Sequence, residues 1–211
     1  MVLARLIASR SDLFPSPIWV IDLDEFIVDL THMASVARTV LSSHPTDPND
    51  PYRQSRAVLQ EVRDVSWRRF FVRLGEYMAG IISTEVRLQS SGDLGKLRSW
   101  VLEIKPEDRW RQSATVSRDL HSHLPSTLSS VFYVEVPYSI IGQSTGGTTF
   151  RDPNAVITQA FRPATVHVSA VPGRLIIFPS WLEHAPEPPA TELLLDSPRL
   201  VVSTDLRIDH L

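Results

Sequence analysis

The sequence predicts an α+β fold: a mainly helical first part, residues 1–98, supports a β core over residues 99–211, and the 211 residues form a single domain. Three observations point there. Apolar residues in the first part recur at three- and four-residue steps, the spacing of a helix face. After Trp100 they come instead in short runs separated by Pro, Gly, Ser and Asp, as strands and turns do. Sixteen prolines stand against eight glycines, a balance that suits turns and strand ends better than long helices.

The elements follow in order. Phe14 to Asp22 reads as a strand entered through Pro15 and Pro17, with β-branched and aromatic residues after them. Asp22 or Asp24 can then cap a helix whose inner face is Phe26, Ile27, Leu30, Met33, Ala34, Ala37 and Leu41, running to about Ser42. From His44 to Tyr52, Pro45, Pro48 and Pro51 alternate with Asp47, Asn49 and Asp50, which leaves a surface loop. A second helix carries Trp67, Phe70, Phe71, Leu74, Tyr77, Met78 and Ile81 inward, with Arg68, Arg69, Arg73 and Glu76 on its solvated side. Strands are expected at Leu128 to Val136, Thr165 to Ser169, Arg174 to Phe178 and Leu200 to Leu206. The helical part cannot close a core without them, so one domain is expected.

Composition removes several kinds of chemistry. Without cysteine there are no disulfides, zinc ribbons, iron–sulfur clusters or thiol nucleophiles, and a metal must rely on His, Asp or Glu. Twenty-one basic and twenty-four acidic side chains give a net charge of −3 with no block of one sign, so no nucleic-acid partner is expected. The opening apolar stretch is interrupted by Arg5 and Arg10 and is too short for a signal or a membrane span, so the expected location is cytoplasmic.

Five of the seven histidines follow residue 120, two of them in His121-Ser122-His123. In a strand, residues two apart point to one side, so both imidazoles can reach one ion. His184 ends the run Gly173 to His184, in which a glycine turn, an apolar strand and a proline stop deliver it at the far end. Strands remote in sequence can face each other in an antiparallel barrel, so the three histidines can meet on one side of a metal. Such a site keeps open positions for substrate and oxygen, as in non-haem iron oxygenases. Arg199 heads the otherwise apolar strand to Leu206, sharing a side with Val201, Ser203 and Asp205. A dicarboxylate co-substrate would give that charge a bidentate partner, whereas a strand-edge arginine needs none; both readings stand. A triad of Asp119, His121 and His184 is a rival to the three histidines, Glu183 is expected to face away, and His167 either lines the pocket or packs within its strand.

Together these residues resemble the 2-oxoglutarate/Fe(II) oxygenases related to prolyl hydroxylases, with His-x-His in place of the usual His-x-Asp. The resemblance runs through Phe14-Pro15-Ser16-Pro17-Ile18, His121-Ser122-His123, Leu128 to Val134, the glycine turn Gly146-Gly147-Thr148-Thr149-Phe150 and, most specifically, Phe178 to His184. It implies a double-stranded β-helix core, jelly-roll and cupin-like, with N-terminal supporting helices. It also implies that His121, His123 and His184 hold the metal, and that Arg199 and Tyr133 bind the far carboxylate of 2-oxoglutarate. The implied enzyme is a dioxygenase using Fe(II), 2-oxoglutarate and O2. It would oxidise an aliphatic C–H of a small molecule or amino acid by hydroxylation, desaturation or cyclisation, releasing succinate and CO2. This sequence departs from the family at Ser130, at Val201 and in a longer stretch between His184 and Arg199. A cupin-type dioxygenase or isomerase without 2-oxoglutarate, and a non-catalytic β-barrel binding module, are the rival readings. The substrate and a homodimer stay open, and loops 44–52, 138–149 and 186–198 are expected to build the pocket.

Overall fold

The computed structural model describes residues 8–13, 16–23, 29–46, 53–85, 95–105, 120–153, 165–187 and 197–208. Along the chain these form β1 (Ala8–Leu13), β2 (Ser16–Asp22), α1 (Leu30–Ser43), β3 (Arg53–Gln54), α2 (Val65–Glu85), β4 (Lys96–Ile104) and β5 (Leu128–Glu135). The remaining strands are β6 (Thr148–Arg151), β7 (Thr165–Val168), β8 (Arg174–Pro179), β9 (His184–Pro186) and β10 (Arg199–Arg207). Among the described residues no helix is long and apolar enough to cross a membrane.

Both helices start where an aspartate accepts a backbone N–H that the helix itself leaves unsatisfied. Asp29 Oδ1 accepts from the His32 amide at 3.0 Å, and Asp64 Oδ1 accepts from the Trp67 amide at 3.0 Å. The cap of α1 is therefore Asp29 rather than Asp22 or Asp24; Asp24, Phe26 and Ile27 lie outside the described residues. The Asp64 carboxylate also meets His32 Nε2 at 2.7 Å, which ties the two helix starts together. The helix α1 stops at His44, next to Pro45, whose ring disfavours a helical neighbour before it.

The strands pair antiparallel in two sheets, one in the order β1-β2-β8-β5-β10-β4-β3 and the other in the order β7-β6-β9. The arrangement is the double-stranded β-helix. The first part of the chain contributes more than helices, because β1, β2 and β3 extend the larger sheet at its two edges. The segments ASRSDL and RQ are short and mostly polar, so no apolar run announces β1 or β3.

Alternation along the central strands divides the interior in two. Phe132, Val134, Leu175, Ile177, Leu200 and Val202 join Trp67, Phe70, Leu74 and the inner face of α1 on the helix side of the larger sheet. Val131, Tyr133, Ile176, Phe178 and Val201 point the other way and pack with Phe150 and Leu182. Because both faces are buried, the strands read as continuous apolar runs in the sequence although each residue serves one side only.

Phe132 carries the contact between helices and sheet: it is fully buried, its ring centroid stacks 4.4 Å from Phe70, and it meets Trp67 edge-on at 6.4 Å. Phe132→Ala is expected to lower unfolding free energy by about 3–5 kcal/mol, the usual cost of emptying a buried aromatic site. Urea denaturation checks this, and a loss below about 1 kcal/mol would contradict the packing described.

Candidate metal centre

The polar residues that point between the sheets gather at one cavity of about 310 Å³, lined by His121, His123, His184, Tyr133, Thr148 and Arg199 among others. The histidines come from two stretches joined by backbone hydrogen bonds. His121 N donates to His184 O at 3.0 Å, and His184 N donates back to His121 O at 3.0 Å. His123 lies beyond that isolated bridge, and its amide donates to Ser180 O at 2.8 Å. The His-x-His pair is thus a bridge and a loop instead of the regular strand expected, yet the rings still converge. Their centroids are 5.0 Å apart for His121 and His123, 4.6 Å for His121 and His184, and 4.9 Å for His123 and His184. One nitrogen from each ring lies within 4.8 Å of the other two, near enough for one ion to be shared.

The hydrogen bonds on the far sides of two rings suit that arrangement. His184 Nδ1 faces Leu182 O at 3.0 Å and so carries the hydrogen, and His123 Nδ1 lies 2.7 Å from Asp205 Oδ1. In both, Nε2 is left with its lone pair, the form a metal requires. His184 is 4% exposed. Burial, followed by repulsion from His121 and His123, pushes its pKa down to about 3, so the ring is neutral at pH 7. Imidazoles converging beside open space fit a divalent ion with exchangeable positions.

The carboxylate-binding candidates occupy another part of the cavity. Arg199 is 2% exposed, and its Nη1 donates to the carbonyls of Gly146, Gly147 at 3.2 Å and Glu187 at 3.4 Å. Tyr133 projects from β5 beside it; burial raises its pKa, so the phenol stays protonated, and its hydroxyl lies 2.6 Å from Thr148 Oγ1. Gly147 lets the turn come close: a Cβ there would lie 2.0 Å from Val168 O and 2.7 Å from His167 Cε1.

Other expected residues fall apart from this group. Glu183 is exposed and pairs with Arg151 at 3.2 Å. His167 pairs with Glu187 and is absent from the cavity wall, as the packed alternative has it. Asp119, the rival ligand, lies outside the described residues, as do residues 47–52 and 188–196 of the expected pocket loops. Gln54, Gly147, Thr148 and Pro186 do line the cavity. Sequence reasoning passed over Thr148, over Trp100, which lines the cavity with its ring centroid 5.5 Å from that of His123, and over the contact of Asp205 with His123. Alternation along β10 placed Asp205 on the side of Arg199, but nothing in the sequence paired it with His123.

Residues 109–205 match the family described as "putative 2OG-Fe(II) oxygenase". That stretch carries all three clustered histidines. No curated protein matches this chain. Among solved structures it is similar to a Pseudomonas putida prolyl-4-hydroxylase, at 12% identity, covering 96% of this chain and 93% of that one with a TM-score of 0.57. It is also similar to the non-heme alpha ketoglutarate dependent epimerase SnoN from nogalamycin biosynthesis, at 16% identity over 90% and 77% of the two chains, TM-score 0.55. The carbocyclase SnoK from the same biosynthesis is 12% identical over 89% and 78%, TM-score 0.56. These likenesses show the fold.

Gly147→Ala is expected to force the turn away from Val168 at a cost of about 1–3 kcal/mol, typical of overpacking. Thermal unfolding checks it; an unchanged melting temperature would show that the turn has room to spare.

Proposed function

We propose that this chain is a one-domain cytoplasmic enzyme that oxidises an aliphatic C–H of a small molecule or amino acid. In this reading His121, His123 and His184 hold Fe(II), and Arg199 with Tyr133 receives the far carboxylate of 2-oxoglutarate. One observation carries it: three converging imidazoles and a buried arginine share a single small cavity. Iron with 2-oxoglutarate and O2 supplies the oxidising power, the co-substrate leaving as succinate and CO2.

The protein's own part is holding and shielding. Three carbonyl contacts fix the Arg199 guanidinium, and a planar donor held in place recognises a carboxylate with two parallel bonds. Tyr133, kept protonated by burial, adds a hydroxyl donor beside it. Leu102, Ile104, Val131 and Val201 add an apolar stretch of wall, which strengthens those charge interactions and helps keep bulk water from the reacting atoms. The cavity lies at the small end of ligand pockets, about 300–1,000 Å³, which supports a small substrate. Hydroxylation is the default outcome, and the epimerase and carbocyclase named above illustrate other outcomes on a similar fold. One apolar cluster joining both helices to the larger sheet supports a single domain.

A cupin-type dioxygenase would use the same histidines without Arg199. Arg199→Ala is therefore expected to weaken 2-oxoglutarate binding by at least ~30-fold, about 2 kcal/mol, the low end for losing one partner of a buried charge pair, and to leave Fe(II) binding intact. Anaerobic calorimetry with Fe(II) present, alongside succinate release coupled to O2 uptake, tests this. Unchanged 2-oxoglutarate affinity, or no iron-dependent decarboxylation by the unaltered chain, would contradict the reading.

A further inference from the structure

Three neutral imidazoles leave a divalent centre one charge more positive than two imidazoles and a carboxylate would, and among the described residues Asp205 brings a carboxylate against one of the three rings. Its side chain is 16% exposed, and Oδ1 lies 2.7 Å from His123 Nδ1. The same oxygen accepts from Ser129 Oγ at 2.7 Å, and Ser129 Oγ lies 2.8 Å from Ser180 Oγ. Ser180 in turn accepts the His123 amide through its carbonyl at 2.8 Å. His123 is thus held at ring and backbone, and by the same run of chain that delivers His184. A carboxylate oxygen facing two donors accepts from both, and a histidine donating Nδ1–H to it must present Nε2 elsewhere. Register places Arg98 opposite Asp205 across β4 and Ser129 opposite it across β5, so a mere sheet-stitching role was open to this residue; its oxygen is given to His123 and Ser129.

We propose that Asp205 is a positioning residue for the metal centre. It fixes the tautomer and aim of His123, and supplies, one imidazole removed, the negative charge that the His-x-His arrangement lacks. The proposal rests on the metal-centre reading above and adds a residue outside the ligand set. Its consequence is that affinity and electronic character of the bound ion depend on a side chain that never touches it.

The test is anaerobic Fe(II) binding by the full chain, with Co(II) absorption spectra as a second readout that needs no turnover. Asp205→Asn should weaken Fe(II) by 10–100-fold, the usual range for a carboxylate behind a ligand histidine, and should shift the Co(II) bands. Metal-free circular dichroism should stay that of the unaltered chain, and Asp205→Ser carries the same comparison if the Asn variant folds poorly. In a His123→Asp background the residue at 123 no longer reaches Asp205, so Asp205→Asn should there change affinity by less than ~2-fold, as a double-mutant cycle requires of coupled partners. Unchanged Fe(II) affinity and Co(II) spectrum in the single variant would overturn the proposal, and so would an equal loss in both backgrounds. Failure of the unaltered chain to bind Fe(II) would instead overturn the metal-centre reading itself.

Discussion

Two backbone hydrogen bonds, exchanged between His121 and His184 at 3.0 Å each, are the constraint on which the site depends. They join a segment that belongs to no regular strand to the first residue of β9, and so set two imidazoles face to face before any side chain makes a choice. Pairing β9 with β6 then brings Phe150 behind His184 and Thr148 beside Tyr133. The glycine turn leading into β6 accepts the buried Arg199. Remove the bridge and the histidines lose their common origin, while the two apolar clusters would still have their strands and helices.

The fold makes this polar group affordable by separating it from the main core. Alternation sends one set of side chains toward α1 and α2, where Trp67, Phe70 and Phe132 interlock, and the other toward the smaller sheet, where the site lies. Stability and chemistry are therefore carried on opposite faces of the same strands. On the chemical face, each buried polar group whose contacts are described has a specific partner: Tyr133 with Thr148, His184 with Leu182, His123 with Asp205, and Arg199 with three carbonyls. Such pairing is what makes burial of polar groups tolerable, and it also fixes which atom each group has left to offer.

Much of this was legible in the sequence, for identifiable reasons. Strong periodicity announced α1 and α2, and the run from Gly173 to His184 announced β8 because a glycine turn and a proline stop bracket an apolar stretch. His121 and His123 stood out by their two-residue spacing, and His184 and Arg199 because each sits at the end of an apolar strand. What escaped was either short and polar, as with β1 and β3, or tertiary. The start of α1 at Asp29 depends on which aspartate reaches a free amide, and the sequence offers several. The contact of Asp205 with His123 joins residues far apart in the chain through strand order, which periodicity does not encode.

The most direct measurement is an anaerobic crystal structure of the chain with Fe(II) and 2-oxoglutarate. The expected result is one ion bonded to Nε2 of His123 and His184 and to a nitrogen of His121, with the far carboxylate of 2-oxoglutarate on Arg199. An ion held by Asp119 in place of His123, or a co-substrate anchored away from Arg199, would contradict it.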